Sequence, residues 1–273
     1  NKSLPPKFNA EFFDYFWVID ILNSAEMITP ELKTKLIKLY EQLLPHTSLT
    51  GGYNGKKGFS IAKGFPLYDS DTTAMAIKTM FILNLEPEIT KNFDFEYYKS
   101  THDNLYHTYK GDNRAAISVI AHIYNAMILQ NKQSNNISSW LKESISNNKL
   151  FDKFNVSSLY VLYCSLVAFV DARDYDSCVQ IELILKSYMK SDGLFSSLDS
   201  NIGTIEESAW AILGLYYFYK RYPSSNLKNY IERSLKSFNN ALLKVTDIEN
   251  LERLWIIKYT YTPKKIVNIL IYS

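Results

Sequence analysis

The chain has 273 residues, of which 47% are hydrophobic and 21% charged, so it carries enough apolar material for a large core. Its 30 Lys and Arg against 28 Asp and Glu leave a formal charge of +2, which excludes the strongly basic class of general nucleic-acid binders. Two cysteines cannot form a disulfide framework, so we expect a reducing, cytoplasmic compartment, and no apolar run reaches the ~18 residues that indicate a membrane span.

Helical periodicity recurs along most of the chain. Apolar residues spaced three and four apart predict amphipathic or buried helices, whereas alternating patterns typical of strands are absent. Only 9 glycines and 8 prolines interrupt these stretches. The sequence therefore predicts an all-α fold. The predicted helices are 12–23, 30 to the stop at Pro45, 72–83, 115–129, 157–170, 178–188, 206–219 and 227–243.

Two of the connections share one pattern, which is a glycine–aromatic turn, a polar loop, and an acidic and hydroxyl-bearing start to an apolar helix. The first runs from residue 51 to 76 and the second from 192 to 211, while 109–112 begins a looser third copy. This internal repeat of helical hairpins, at roughly 20–25 residues per helix and loop, gives about eleven or twelve helices. That number suits an α/α barrel, a double ring of helices, although a straight solenoid would use the same repeat. No Ser/Gly/Pro-rich linker divides the chain, so we expect one domain over residues 1–273.

An acidic motif, Asp69-Ser70-Asp71-Thr72-Thr73, lies at the start of one predicted helix. Asp, Ser and Thr are preferred N-caps, so helix capping alone would explain them. Two carboxylates two residues apart at the end of an apolar cavity could also share a proton. Like charge and burial raise one pKa, and the helix N-terminus lowers it. A carboxylic acid kept protonated among aromatic side chains is what protonation of an unactivated alkene requires.

Residues 69–76, D-S-D-T-T-A-M-A, resemble the D-x-D-D-T-A and D-x-D-T-T-A signatures of class II terpene cyclases, which include bacterial labdane-type (copalyl diphosphate synthase-like) and drimane-type enzymes. Five further segments resemble the pattern of the bacterial diterpene cyclases in the same order. The similarity covers about residues 11–267. The five segments are 16–20, 108–122, 152–160, 192–210 and 254–263.

The resemblance implies an α/α barrel that acts as an enzyme by protonation-initiated cyclisation. A linear prenyl substrate, farnesyl or geranylgeranyl diphosphate, would become a bicyclic drimane- or labdane-type product with the diphosphate retained. A prenylated aromatic (meroterpenoid) substrate is an alternative. Carried over by position, Asp71 is the catalytic acid and Asp69 orients it. Thr73 stands where many relatives have a third carboxylate.

Aromatic faces near a carbocation stabilise it, and five aromatic residues at or near the matched segments are candidates for the substrate cavity. Ordinary packing is the alternative for each of them. Asn155 and His122 are candidates for the group that takes the final proton, as is a water molecule. Phe154, Asn155 and Leu159 replace the Trp, His and Pro of the resembled pattern, which leaves the product stereochemistry open. The five aromatic candidates are Tyr53, Phe59, Tyr109, Phe154 and Tyr160.

A diphosphate needs cations at the cavity mouth, and Lys110, Arg114 and Lys258 occupy matched positions, with solvation at the surface as the alternative reading. The sequence contains no metal-ligand motif, so no cofactor is specified beyond Mg²⁺ that would accompany a diphosphate. Larger relatives carry a second helical domain with an acidic magnesium-binding element. A companion domain, a prenyltransferase or a phosphatase is therefore an expected partner, beside the prenyl substrate itself.

Two other classes of protein use the same barrel. A protein prenyltransferase β-subunit needs an Asp-Cys-His zinc set, but no histidine follows Cys164 because the last one is His122. A non-catalytic barrel that binds an isoprenoid or a partner protein is the remaining alternative. The substitutions at 154, 155 and 159 leave it open, whereas the Asp69/Asp71 pair argues against it.

Overall fold

A computed structural model of the chain describes residues 11–43, 58–61, 67–85, 91, 93–132, 134–245, 251, 254 and 264–273. Ten α-helices lie in this part, together with one 3₁₀ turn at Glu96–Tyr98 and isolated β-bridges. The predicted all-α fold is therefore confirmed. The helices are α1 (Glu11–Ser24), α2 (Pro30–Leu43), α3 (Ser70–Leu83), α4 (Ile117–Leu129), α5 (Asn135–Ser146), α6 (Ser158–Asp171), α7 (Tyr175–Ser187), α8 (Ile205–Arg221), α9 (Ser225–Leu242) and α10 (Lys264–Tyr272).

Five of the described helices form an inner ring that closes mainly through a sixth helix, α10. The helices α1, α3, α4, α6 and α8 pack against one another in that order, and α8 returns to α1. At this closure α10 packs against both α1 and α8. Outside the ring, α2 packs on α3, α5 on α4, α7 on α6, and α9 on α8. The arrangement is the predicted double ring, and α3 and α8, which begin at the two similar acidic and hydroxyl-bearing segments, both lie in the inner ring.

The sequences of the two layers explain which helix lies where. In α6, every residue from Leu159 to Val170 is buried, and a helix that is apolar on all sides is stable only inside the protein. In α9, the buried residues are Leu227, Ile231, Ser234 and Phe238, which form a single stripe at three- and four-residue spacing. One face of α9 therefore covers the ring while the other faces solvent.

The first turns of the neighbouring inner helices α6 and α8 meet in a buried cluster of polar side chains. Glu207, in the first turn of α8, is fully buried. Its carboxylate accepts hydrogen bonds from Ser157 Oγ at the start of α6 (2.7 Å), Ser196 Oγ (2.6 Å) and Thr204 Oγ1 (3.0 Å). We call this cluster the Glu207 hub. It joins the starts of two neighbouring inner helices.

Aromatic side chains fill the centre of the ring. The Trp17 ring contacts the rings of Tyr160 and Trp210, with centroids 5.7 and 5.3 Å apart. Tyr163 lies 4.9 Å from Trp210, and all four side chains are fully buried. We call Trp17, Tyr160, Tyr163 and Trp210 the aromatic cluster. No helix in the described part is both long and apolar enough to cross a membrane.

Candidate acid site

The start of α3 is held by the two residues that flank Asp71 in the acidic motif. Asp69 is the N-cap, and its Oδ1 accepts a hydrogen bond from the Thr72 amide at 2.7 Å. Thr73 Oγ1 donates to the Asp69 carbonyl at 2.6 Å and accepts from the Phe59 amide at 2.9 Å. Asp69 and Phe59 also form a β-bridge. These bonds fix the backbone that presents Asp71 to the ring interior.

Asp71 meets His122 from the neighbouring inner helix. The distance from Asp71 Oδ1 to His122 Nδ1 is 2.6 Å, although 51 residues separate the two in sequence. Each residue is only 6% exposed. The imidazole also packs edge-on against Trp17, with centroids 5.1 Å apart. The structure therefore brings together two residues for which the sequence predicted separate roles, the acid and a candidate proton acceptor.

The hydrogen bond of this pair can form with either partner as the donor. In the tautomer with its proton on Nδ1, His122 donates to Oδ1 of Asp71. A bond of this kind to an ionised carboxylate is charge-assisted and about twice as strong as a neutral one. The arrangement therefore joins a carboxyl group and an imidazole, the two groups most used for general acid–base chemistry.

The surrounding phenol and thiol groups remain neutral. Burial raises the pKa of Tyr109, and the charges of Asp69 and Asp71 raise it further. Burial likewise raises the pKa of Tyr160 and of Cys164 well above their ordinary values, and the charge of Asp71 adds to both shifts. Tyr109 and Tyr160, two of the predicted cavity residues, are therefore within electrostatic range of the acid.

Asp152 is a buried carboxyl beside the site that the sequence analysis did not select. It is 2% exposed. Its Oδ2 accepts a hydrogen bond from the Ser118 amide at 3.0 Å, and its Oδ1 accepts one from the Phe154 amide at 2.8 Å. Burial raises the pKa of Asp152, and the charge of Asp71 raises it further, whereas the two amide bonds lower it. Its place as the first residue of the matched segment 152–160 was a signal that could have identified it.

The other predicted aromatic residues are packed in different ways. Phe59 is buried and lies perpendicular to Phe16, with centroids 5.7 Å apart. Phe154 is half-buried, with the Lys153 ammonium 5.2 Å from its ring centre. Tyr53 lies outside the described residues. Trp17 and Trp210, which were not among the predicted site residues, occupy the centre of the ring instead.

Two of the three predicted diphosphate-binding cations, Lys110 and Arg114, lie on the surface of the loop before α4. Lys110 is exposed and stands 4.9 Å above the Tyr97 ring, and Arg114 is exposed and stands 4.1 Å above the Phe151 ring. Neither side chain forms an ion pair with Asp71. Lys258 lies outside the described residues. The role of all three in diphosphate binding stays a prediction.

Asn155, the other predicted proton acceptor, holds the backbone at the start of α6. It is buried, and its Oδ1 accepts a hydrogen bond from the Ser157 amide at 2.8 Å. Ser157 in turn is the N-cap of α6, where its Oγ accepts from the Leu159 amide at 3.1 Å. Of the two protein candidates, His122 is the one that the structure places in contact with Asp71.

Farther along the ring axis the interior also carries charge. Lys78, two turns after Asp71 on α3, forms a buried ion pair with Asp20 of α1 at 2.5 Å. At the C-terminal ends of the inner helices, Asp171 accepts hydrogen bonds from Asn125 Nδ2 (2.6 Å) and Tyr217 OH (2.7 Å).

Two cavities of about 380 and 310 Å³ open at this far end of the ring, and Tyr217 is part of the lining of both. We predicted an aromatic-lined cavity with Asp71 at its deep end, whereas the rings of the aromatic cluster are packed on one another.

No protein-family model matches the chain, and no curated protein is significantly similar to it. Among solved structures, it resembles ent-copalyl diphosphate synthase from Streptomyces platensis, with a TM-score of 0.68 and 19% identity over 95% of this chain and 49% of that chain. It also resembles a sugar epimerase from a ruminal bacterium, with a TM-score of 0.54 and 12% identity over 98% of this chain and 88% of that chain. This chain therefore spans about half the length of the cyclase. Both neighbours are enzymes, and at these identities the likeness shows a shared α/α toroid fold.

Proposed function

We propose that this chain is a class II terpene cyclase that protonates and cyclises a linear prenyl substrate. The observation that carries the proposal is the buried contact between Asp71 and His122, which lies where the resembled signature has its catalytic acid. The shared toroid fold with a copalyl diphosphate synthase supports it. Farnesyl and geranylgeranyl diphosphate are the proposed substrates, with a prenylated aromatic acid as the alternative.

In this reaction the proton of Asp71 forms a C–H bond with the terminal alkene, whose π electrons make that bond and leave a tertiary carbocation. Neighbouring alkenes then attack in turn, so C–C bonds close and the cation moves along the chain. Loss of a proton from a ring carbon ends the reaction with a new alkene, and the substrate has been isomerised with its diphosphate attached. A proton accepted by His122 would return to the same pair and restore the acid.

The aromatic cluster is proposed to stabilise the carbocations. A desolvated cation over an aromatic face gains about 2 kcal/mol. The Trp17 ring contacts His122 of the acid pair, and Tyr160 and Trp210 contact Trp17. Because these rings now contact one another, a substrate must enter between them. We therefore expect prenyl diphosphate binding to change the tryptophan fluorescence of the protein.

The diphosphate is proposed to remain at the end of the ring where the inner helices begin. Lys110 and Arg114 lie on the loop that leads into α4, so their charges are at the same end as Asp71. Lys258 is a further candidate, and Mg²⁺ would accompany the diphosphate. Since the chain spans about half of the synthase that it resembles, a companion domain that completes the site is part of this proposal.

A non-catalytic barrel is the second candidate, and the filled ring centre favours it. The aromatic cluster and the buried Lys78–Asp20 pair occupy the interior in which a cyclase folds its substrate. A barrel that binds an isoprenoid or a partner protein on its outer surface would need no such space. In that case the acid pair would have only a structural role.

Product analysis separates the two candidates. The protein is incubated with farnesyl diphosphate and with geranylgeranyl diphosphate, treated with phosphatase, and the extracts are examined by mass spectrometry for cyclic alcohols. A cyclase gives new products that disappear in Asp71→Asn and persist in Asp176→Asn, which changes an exposed carboxylate on α7. Absence of cyclic products from both substrates and from prenylated aromatic acids would reject the cyclase in favour of the binding barrel.

A further inference from the structure

The helix that carries His122 has no cap of its own. The N-cap residue of α4 is Ala116, which has no side chain that could accept a hydrogen bond from the first turn. The amide of Ser118 donates a hydrogen bond instead to Oδ2 of Asp152 at 3.0 Å, and Asp152 lies in a loop 34 residues farther along the chain. Since the first N–H groups of a helix have no intrahelical partner, Asp152 takes the place of the missing cap.

This bond acts on the same face of α4 as the acid pair. Ser118 and His122 are four residues apart, so they lie one above the other on one face of the helix. The bond to Asp152 therefore holds the helix one turn before His122, whose Nδ1 lies 2.6 Å from Asp71 Oδ1. Asp152 is itself held in place, because its Oδ1 accepts from the Phe154 amide and the adjacent Lys153 pairs with Asp112.

We propose that Asp152 is a positioning residue of the acid site, which caps α4 from outside the helix and thereby holds His122 against Asp71. The inference rests on the proposed function for its catalytic meaning, but the bond to Ser118 and the contact between His122 and Asp71 are independent of it. Asp152, a loop residue, thus aligns two side chains that belong to two helices, His122 of α4 and Asp71 of α3.

The carboxylate of Asp152 also supplies charge to the site. The neutral tyrosines and Cys164 contribute none, and Lys78 and Asp20 balance each other at a deeper level of the ring. The titratable and charged groups near Asp71 in the described part are Asp69, Tyr109, Asp152, Tyr160, Cys164, Lys78 and Asp20.

The test is the NMR signals of the His122 ring, which report its contact with Asp71 and are recorded without any substrate. Asp152→Asn keeps the shape of the side chain but removes its charge and one of its two acceptor oxygens, so the first turn of α4 is held less firmly and we expect the His122 ring signals to move as the contact with Asp71 loosens. The control is Asp192→Asn, since Asp192 accepts two backbone hydrogen bonds in the same way, from Leu194 and Gly203 at 3.0 Å each, in a different loop. This control should leave His122 unchanged. His122 ring signals that are the same in the wild type and in Asp152→Asn would overturn the inference.

Two further measurements complete the test. Where product is formed, Asp152→Asn should lower kcat about 10²-fold with KM unchanged, as expected for a misplaced catalytic group, and Asp192→Asn should not. If Asp152→Asn does not fold, the wild type is followed instead. The Ser118 amide and the His122 ring should then shift together as Asp152 titrates, and a Ser118 amide that does not respond would reject the inference. A wild type that cyclises nothing rejects the proposed function alone, because the NMR experiment needs no turnover.

Discussion

The variant Asp71→Asn tests whether Asp71 is a catalytic acid or a carboxylate with only a structural role. The amide oxygen of the introduced side chain can still accept a hydrogen bond from His122 Nδ1, so the contact that is 2.6 Å long in the wild type is kept. Because the protonated acid and the amide both accept a neutral hydrogen bond, we expect the free energy of unfolding to change by less than about 1 kcal/mol, which corresponds to less than about 2–4 °C in Tm for a chain of this size. The amide has no comparably acidic proton, so we expect turnover to fall by about 10⁴-fold or more.

The assay measures cyclic product from each prenyl substrate, beside thermal melting of the same preparations. Asp69→Asn is the matched variant, because asparagine is an equally good N-cap and can still accept from the Thr72 amide. It should reduce turnover less than Asp71→Asn does. If Asp71→Asn keeps wild-type turnover on a substrate that the parent cyclises, the acid lies elsewhere and our assignment of the motif is wrong.

Three other substitutions test the remaining parts of the site and ring. His122→Phe keeps the ring contact with Trp17 but removes the donor to the acid, so kcat should fall about 10²-fold in steady-state kinetics, and an unchanged kcat would contradict the pairing. Lys78→Met leaves Asp20 buried without its counter-charge and should lower the free energy of unfolding in urea by about 3–5 kcal/mol, whereas Lys78→Met combined with Asp20→Leu should recover most of it. A single-variant loss under about 1 kcal/mol would show that the pair is effectively solvated. Glu207→Ala removes the acceptor of the Glu207 hub and should cost about 3 kcal/mol or more in the same assay, and a smaller loss would mean that the freed hydroxyls find other partners.

Periodicity was sufficient to predict most of the helices because it reports burial directly. The predicted helix 157–170 corresponds to α6, Ser158–Asp171, whose residues are apolar on every side. The sequence analysis missed α5, Asn135–Ser146, because Asn and Ser are weak helix formers and dominate its first half. Its buried residues Ile137, Leu141 and Ile145 are nevertheless spaced four apart. Tertiary packing of that stripe on α4 compensates for the poor propensity.

The acid site could be predicted only in part, because its contacts are long-range. The local motif identified Asp71 and the start of α3, since capping and an acidic first turn depend on neighbouring residues. The contact of Asp71 with His122 and the bond from Asp152 to the α4 amide depend on how three segments meet in the ring. A resemblance to a cyclase suggested a cavity at this point, but the sequence could not show that Trp17 and Trp210 would fill it.

A ring centre filled by aromatic side chains is compatible with catalysis at the acid pair if the rings of the aromatic cluster give up contacts with one another and contact the substrate instead. Each ring–ring contact stabilises the empty protein by about 0.5–1.5 kcal/mol beyond its buried area, and a prenyl chain that covers the same faces restores much of that burial. A neutral substrate therefore gains little by replacing a ring. A carbocation gains about 2 kcal/mol of cation–π energy at each desolvated aromatic face that it passes. The neutral substrate carries no charge and gains none of this energy. The cluster around Trp17 and Trp210 would thus bind the cationic species in preference to the substrate, which is the difference on which catalysis depends.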